Sequence, residues 1–269
     1  MIISLNQMEE KYDLLEIIDE DAFGKIYKAK LKNTDELRAI KIIDKKKMIE
    51  ECNEDFFQSE FSKSLENMEI CCKDNINSVK LYEYSNNEKT LIYVTELMDE
   101  NLEKFLKKRD KGLNPQEILG ILKQLNNTFK IMVNNLIVHR DLKLSIIYIK
   151  FKNNEKSEYI IKLGGYDVCT KLNSIDQQMD FWVGSMDYIA PEVSKGEKYD
   201  RKCDLWSLGI IIYYLLFKKR YNVVEYNDRQ HLRKPSGNEL LDDLLWKLLV
   251  EDPAKRITWE QYFEHPFFK

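Results

Sequence analysis

The chain has 269 residues, 43% of them hydrophobic, enough apolar material for one large domain or two lobes with real cores. Charged residues are frequent but mixed in sign, and the formal net charge is only -4, so no whole-protein field favours nucleic acid or an anionic membrane. The longest apolar run, "LGIIIYYLLF" from Leu208 to Phe217, falls short of the roughly 20 residues a bilayer span needs and reads as a buried helix.

The first residues, "MIISLNQMEEKYD", carry neither a basic region nor a small-residue cleavage site, so no secretory signal is expected and cytoplasmic residence is the default. Five short β-branched and aromatic segments follow: "LLEIIDE", "GKIYKAKL", "ELRAIKII", "VKLYEYS" and "TLIYVTEL". Polar breaks such as "KNTD" and "SNNEK" separate them, and they read as strands of an antiparallel sheet. Between the third and fourth, Glu54 to Cys72 has helical composition.

After Met98 the texture changes. Ile118, Ile121, Leu122, Leu125, Phe129 and Met132 form a 3.6-residue stripe, and Asn114, Pro115 and Glu117 supply N-cap, N1 and N3 of a helix. Two short strands, "SIIYIKF" and "YIIKL", precede a helical remainder: "DLWSLGIIIYYLLF", "NELLDDLLWKLLV" and "TWEQYFEHPFF". The expected architecture is one α+β domain over 1–269, with a small β-rich lobe at about 12–98 and a larger helical lobe at about 99–268. The cleft between the lobes is the default ligand site. Five scattered cysteines (Cys52, Cys71, Cys72, Cys169, Cys203) without CxxC spacing fit reduced thiols rather than a disulfide frame or a zinc site.

Within that order, "VHRDLKLSIIYIK" resembles the catalytic loop of eukaryotic protein kinases, His-Arg-Asp-Leu-Lys-x-x-Asn. Supporting matches run in the family's sequence. "RAIKII" is similar to the third strand with its phosphate-pairing Lys41. "GSMDYIAPEV" is similar to the end of an activation segment, "CDLWSLG" to the start of the core helix, and "DPAKRITWEQYFEHPFF" to the closing helices, with Arg256 placed to pair with Glu192. Leu142-Lys143 and Gly184-Ser185 resemble the serine/threonine branch. The resemblance implies a two-lobed kinase-like fold, with Asp141 accepting the substrate hydroxyl proton and Lys143 steadying the phosphoryl group. Lys41 would hold the other phosphates, aimed by a helix glutamate that is either Glu60 or Glu66. Ile18, Gly24, Ile26, Ala39, Thr95, Glu96, Met98 and Tyr148 complete the implied nucleotide contacts: Ile26 and Ala39 as roof, Thr95 at the rear, Glu96 to Met98 as hinge and Tyr148 as floor. Ser185 is expected to contact the catalytic loop, with Thr170 and Ser174 as positional candidates for phosphorylation beside Arg140. His139 is expected under the catalytic loop, His231 in a polar loop and His265 at the final turn.

Three departures fall on the nucleotide side. The metal-binding asparagine of the catalytic loop is Ile146, which cannot ligate a hard cation. The Asp-Phe-Gly triplet reads Gly165-Tyr166-Asp167, so no metal ligand is expected unless Asp167 serves through a shift of two residues. The Gly-x-Gly-x-x-Gly turn reads Asp19-Glu20-Asp21-Ala22-Phe23-Gly24, which puts acids where backbone amides should approach phosphate. These acids either turn outward into water or, in the case of Asp21, close on Lys41. The scaffold positions Asp204, Trp206, Glu192 and Arg256 are intact. The combination implies a serine/threonine-type pseudokinase, with weak or no phosphoryl transfer, acting as a binding or allosteric module on a protein partner. The alternative is an active ATP-dependent serine/threonine kinase with altered metal coordination and a protein substrate. A third reading is a metal-free nucleotide switch. Weak ATP binding is the most these residues imply, and the case for Mg²⁺ is poor.

Overall fold

Ser4 opens the first helix, α1 (Leu5–Lys11), through a capping box: Ser4 Oγ accepts the Gln7 N–H at 3.2 Å and Gln7 Oε1 accepts the Ser4 N–H at 2.8 Å. The computed structural model describes residues 3–21, 23–52, 54, 63–153, 155, 157–221 and 236–269. Met8 of α1 packs with Tyr12, Ala29, Ile40, Ile92 and Val94, so the helix covers one patch of the sheet behind it. This helix lies outside the sequence expectations, although the Ser4/Gln7 spacing is its sequence signal.

The five expected strands are β1 (Tyr12–Glu20), β2 (Gly24–Leu31), β3 (Leu37–Asp44), β4 (Leu81–Asn86) and β5 (Thr90–Glu96). They form one antiparallel sheet in the order β1-β2-β3-β5-β4. Directly paired residues share a face of a sheet. The register aligns Asp19 with Ile26, Ile26 with Lys41 and Lys41 with Tyr93, so these four stand in one row. In the next row Ala39 pairs with Thr95. Ile18 falls where the β1–β2 register shifts between Ile17 and Asp19, and it is exposed. Helices α2 (Lys45–Cys52) and α3 (Ser64–Cys72) follow β3. The expected helix from Glu54 is present as α3 in its second half, and most of its first half, Glu60 included, lies outside the described residues.

The helical lobe is built on α5 (Pro115–Asn134), whose stripe residues Ile118, Ile121, Leu122, Leu125, Phe129 and Met132 are all buried. Its start is capped as expected: Asn114 accepts from the Gln116 and Glu117 N–H groups, and Glu117 accepts from the Asn114 N–H. The short helix α4 (Leu102–Lys107) precedes it. Strand β6 (Glu100–Asn101) pairs with β8 (Ile147–Phe151), which pairs with β9 (Tyr159–Leu163); β7 (Ile137–Val138) pairs with β10 (Thr170–Lys171). Then come α6 (Pro191–Ser194), α7 (Cys203–Phe217), α8 (Glu239–Leu248) and α9 (Trp259–Phe263). The α7 sequence is apolar on every side because the helix is buried along most of its length.

One buried ion pair ties this lobe together. Arg256 Nη1 and Nη2 donate to Glu192 Oε1 and Oε2 at 2.7 and 2.8 Å, and the guanidinium lies 5.2 Å from the Trp206 ring centroid. Its remaining donors reach the carbonyls of Val250, Lys202 and Glu251. The desolvated fork is therefore well satisfied, as a buried charge pair requires. The molecule is a two-lobed α+β kinase-like fold with a five-stranded sheet at the N-terminal side and a helical C-terminal part. Among the described residues, no helix is long and apolar enough to cross a membrane. The segment from Lys218 to Pro235, a partner surface or a solvated loop by its sequence, lies mostly outside the described residues, and so does His231.

Candidate functional site

The turn after β7 holds Arg140 at φ +67, a left-handed conformation that costs an L residue roughly 1–2 kcal/mol. Asp204, at the start of α7, fixes that turn: its carboxylate oxygens accept the His139 N–H at 2.7 Å and the Arg140 N–H at 2.8 Å. Burial lowers the His139 pKa against the pull of Asp204, so the ring is neutral. Its Nε2 faces the Gly164 carbonyl at 3.0 Å, and its Nδ1 faces the Asp141 N–H at 3.4 Å. His139 thus lies fully buried beneath the loop, as the sequence implies.

That scaffold presents Asp141. Lys143 Nζ donates to Asp141 Oδ2 at 2.7 Å, Ser185 Oγ donates to Asp141 Oδ1 at 2.7 Å, and Lys143 also donates to Ser185 Oγ at 2.9 Å. The three side chains close a triangle that orients one carboxylate next to one ammonium. Asp141 and Lys143 are brought together as expected, and Ser185 makes the contact expected of it. Thr170 is buried in β10, whereas Ser174 is exposed.

Lys41 is buried, 3% exposed, and its ammonium lies between two carboxylates: Asp21 Oδ2 at 2.5 Å and Asp167 Oδ2 at 2.8 Å. Burial disfavours its charge, but Asp167 and Asp21 outweigh that effect and hold its pKa above the ordinary lysine value. For Asp167 the balance is the mirror image. Burial raises its pKa, Lys41 and the Tyr93 hydroxyl pull it down by more, and the net shift is downward. Tyr93 donates to Asp167 Oδ1 at 2.6 Å. The row Asp19, Ile26, Lys41, Tyr93 therefore faces the cleft, and Asp167 meets it from the other lobe. Glu66 is exposed on the first turn of α3, and the acids on Lys41 among the described residues are Asp21 and Asp167. The expectation that a helix glutamate aims Lys41 finds no support at Glu66, and Glu60 lies outside the described residues.

The loop that brings Asp21 there is self-bonded. Asp21 Oδ1 accepts the N–H groups of Phe23 and Gly24, each at 3.0 Å, and the Asp21 N–H donates to the Gly24 carbonyl at 3.0 Å. Gly24 is needed for packing: a Cβ there would stand 2.1 Å from the Ile42 carbonyl oxygen. The turn's surviving glycine thus serves the close approach of β2 to β3.

Ile146 and Gly165 occupy the two positions where the kinase pattern carries metal ligands. Gly165 has φ +71, and a Cβ on it would lie 2.6 Å from Ile146 Cγ2. Tyr166 keeps the aromatic position. It is 2% exposed, lies 5.5 Å from the His139 ring and shares a hydrogen bond with Ser78 Oγ at 2.6 Å. So Asp167 reaches Lys41 from the position after the aromatic, without a two-residue shift that would displace Tyr166. An apolar side chain seated against a glycine does not fit a hard divalent cation, so these two positions offer Mg²⁺ no side-chain oxygen. The nearby carboxylate of Asp167 is engaged by Lys41 and Tyr93.

At the other end of the cleft, Ala39 and Thr95 are buried and Ile26 is half-buried. The Glu96 carboxylate is engaged by two lysines. Its Oε1 accepts from Lys162 Nζ at 2.7 Å and from the Lys80 N–H at 2.8 Å. The Leu97 carbonyl accepts from Lys150 Nζ at 3.0 Å. Met98 N–H and C=O have no hydrogen-bond partner among the described residues. Tyr148 lies against Gly164, where a Cβ would meet its ring at 2.9 Å. Burial raises the Tyr148 pKa to about 12; Lys41 opposes the shift, and Asp19, Asp167 and Asp21 add to it. Its ring thus packs against Gly164 within the field of the acid cluster.

The profile of the protein kinase domain matches residues 12–268. The chain belongs to the protein kinase family. It is 34% identical to calcium-dependent protein kinase 5 of Plasmodium falciparum (isolate 3D7) over 100% of its own length and 47% of that protein's. It is 29% identical to calcium-dependent protein kinase 4 of the same organism, over 97% of the chain and 50% of the relative. It is also 27% identical to the serine/threonine-protein kinase TIO of Arabidopsis thaliana, over 97% of the chain and 19% of the relative. The chain thus spans half the length of these relatives or less.

Protein kinases use ATP and magnesium to phosphorylate proteins, and the contrast within this kinase domain is local. Asp141, Lys143 and Ser185 hydrogen-bond one another, while the Lys41 ammonium is engaged by Asp21 and Asp167 and Ile146 packs against Gly165. Sequence reasoning misses Tyr93. The strand register that pairs it with Lys41 is its only signal, and a register is invisible until strands are paired.

Proposed function

We propose that this kinase domain is a pseudokinase: a folded serine/threonine-kinase-like module with weak or no phosphoryl transfer that acts by binding a protein partner. The Ile146–Gly165 contact carries the reading. Two metal-ligand positions are lost together, and the side chain at one fills the space of the other. Kinase chemistry is mostly electrostatic, and the metal ions neutralise the charge that develops on the phosphates. Without them Lys41 is the remaining phosphate cation on that side, and two carboxylates already engage it.

The test is thermal unfolding with millimolar ATP, in Mg²⁺ and in chelator. A ligand that binds only the folded state raises the midpoint. The expected result is that Mg²⁺ adds no stabilisation. A midpoint that rises only with Mg²⁺·ATP would reject the reading.

A second reading, an active kinase with altered metal coordination, is favoured by the Asp141–Lys143–Ser185 triangle. It requires Asp167 to leave Lys41 for a metal. Phosphorylation of a protein substrate that survives Asp167→Ala would exclude that form of it.

A further inference from the structure

Asp21 engages two kinds of donor at once, one with each carboxylate oxygen. Oxygen Oδ2 takes the Lys41 ammonium at 2.5 Å, and Oδ1 takes the Phe23 and Gly24 amides at 3.0 Å each. A lysine ammonium and the backbone N–H groups of a turn are the donors that a phosphate-cradling loop offers to its ligand. Here both kinds are satisfied by one side chain of the same loop. The second face of the ammonium is taken by Asp167 at 2.8 Å, whose other oxygen holds the Tyr93 hydroxyl proton. An incoming phosphate therefore meets donors already in use and at least two carboxylates around one cation. Asp19, in the same row, adds a third negative charge nearby.

The base end shows the opposite condition. Met98 presents an N–H and a C=O with no partner among the described residues, one donor and one acceptor from a single hinge residue. Ala39 and Thr95, paired between β3 and β5, are buried and small, and the Tyr148 ring packs against Gly164. A flat heteroaromatic ring with an acceptor nitrogen beside an amino group matches that edge. Met98 is half-buried, and a free donor and acceptor at a cleft edge suit a ligand that completes both hydrogen bonds.

We infer that the cleft takes a neutral, phosphate-free nucleoside in preference to a nucleotide, with the Asp21 carboxylate standing in for the missing phosphate. This rests on the reading that the cleft no longer transfers phosphate, and it adds a ligand class to that reading. The selectivity is electrostatic and has one principal source. Removing the Asp21 charge frees the Lys41 ammonium on one side. Like-charge repulsion at contact distance in a partly buried site exceeds what a factor of ten in affinity requires.

The experiment is calorimetric titration of the full chain with adenosine and with ATP, in chelator and in Mg²⁺, for the native protein and for Asp21→Asn. Asparagine keeps the shape and the amide-accepting oxygen while removing the charge. The expected result is adenosine binding at least about tenfold tighter than ATP in the native protein, with the ratio reduced about tenfold or reversed in Asp21→Asn. ATP binding as tight as adenosine in the native protein would overturn the inference, and so would a ratio unmoved by Asp21→Asn. No binding of either probe would overturn it while leaving the non-catalytic reading intact. Should Asp21→Asn fail to fold by circular dichroism, the native adenosine-to-ATP ratio decides alone. Transfer of phosphate to a protein substrate by the native chain would reject the pseudokinase reading in a separate assay, so the two failures are distinguishable.

Discussion

Ile146 lies against Gly165 so closely that a β-carbon on residue 165 would stand 2.6 Å from Ile146 Cγ2. Gly165 also sits at φ +71, a conformation in which an L side chain is strained. Restoring the family's aspartate there is therefore opposed twice, by contact and by backbone. Gly165→Asp alone should lower stability by about 2 kcal/mol. Adding Ile146→Asn should recover part of that loss, with a coupling energy of about 0.5–3 kcal/mol. Urea unfolding of the four proteins in the double-mutant cycle measures it. Additive losses would mean that the two positions are independent.

Lys41→Met separates this chain from a kinase whose lysine serves ATP. Here the substitution strands Asp21 and Asp167 around a methyl group, with Asp167 12% exposed. Breaking a buried pair by removing one partner costs about 3–5 kcal/mol. Because Asp21 is 39% exposed and can rehydrate, the expected loss is at the lower end, about 3 kcal/mol, by chemical denaturation. The Asp167 carboxyl should also titrate at higher pH in the variant, readable by NMR. A variant as stable as the native chain would contradict the geometry of the cluster.

The closing ion pair makes the same point away from the cleft. Arg256→Met leaves Glu192 buried, 2% exposed, without its bidentate partner. The expected loss is about 3–5 kcal/mol, and Arg256→Met with Glu192→Leu should be less destabilised than Arg256→Met alone. Thermal unfolding of the three proteins checks both statements.

Much of this fold is legible in the sequence, and the reason is periodicity. Alternating β-branched strands and the Ile118–Met132 stripe are local patterns, and local patterns report burial directly. The cores of the two closing helices follow the same rule. Helix α1 escapes because its seven residues carry little apolar signal. The site divides in the same way. Asp141, Lys143, Ser185 and the Glu192–Arg256 pair are legible because fixed motifs carry them. The Asp21–Lys41 pair is one of two fates that the sequence leaves open for the loop acids. Asp167 on Lys41 and Tyr93 on Asp167 are not legible, since both depend on how the lobes close and on which residues share a row of the sheet.

Two histidines set an acid limit on stability. Burial lowers the pKa of His139, and burial lowers that of His265 despite its hydrogen bond to Asp243. A depressed folded-state pKa means that the unfolded chain binds protons first. Stability is present above the ordinary value of 6.5 and is lost as pH falls from there through the folded values. The unfolding free energy should drop as pH falls below 6.5, by up to about 1.4 kcal/mol per pH unit for each histidine. His265→Gln should flatten that slope. A stability profile that is level or rising on acidification would be inconsistent with two neutral buried rings.

The most direct measurement is transfer of labelled phosphate from Mg²⁺·ATP to a protein substrate mixture and to the chain itself, at high enzyme concentration over hours. Asp141→Asn serves as the blank. On the pseudokinase reading the expected result is label no greater than that blank, because Ile146 and Gly165 offer a metal no side-chain oxygen and Lys41 is held by Asp21 and Asp167. Mg²⁺-dependent labelling that disappears in Asp141→Asn would contradict the pseudokinase reading outright.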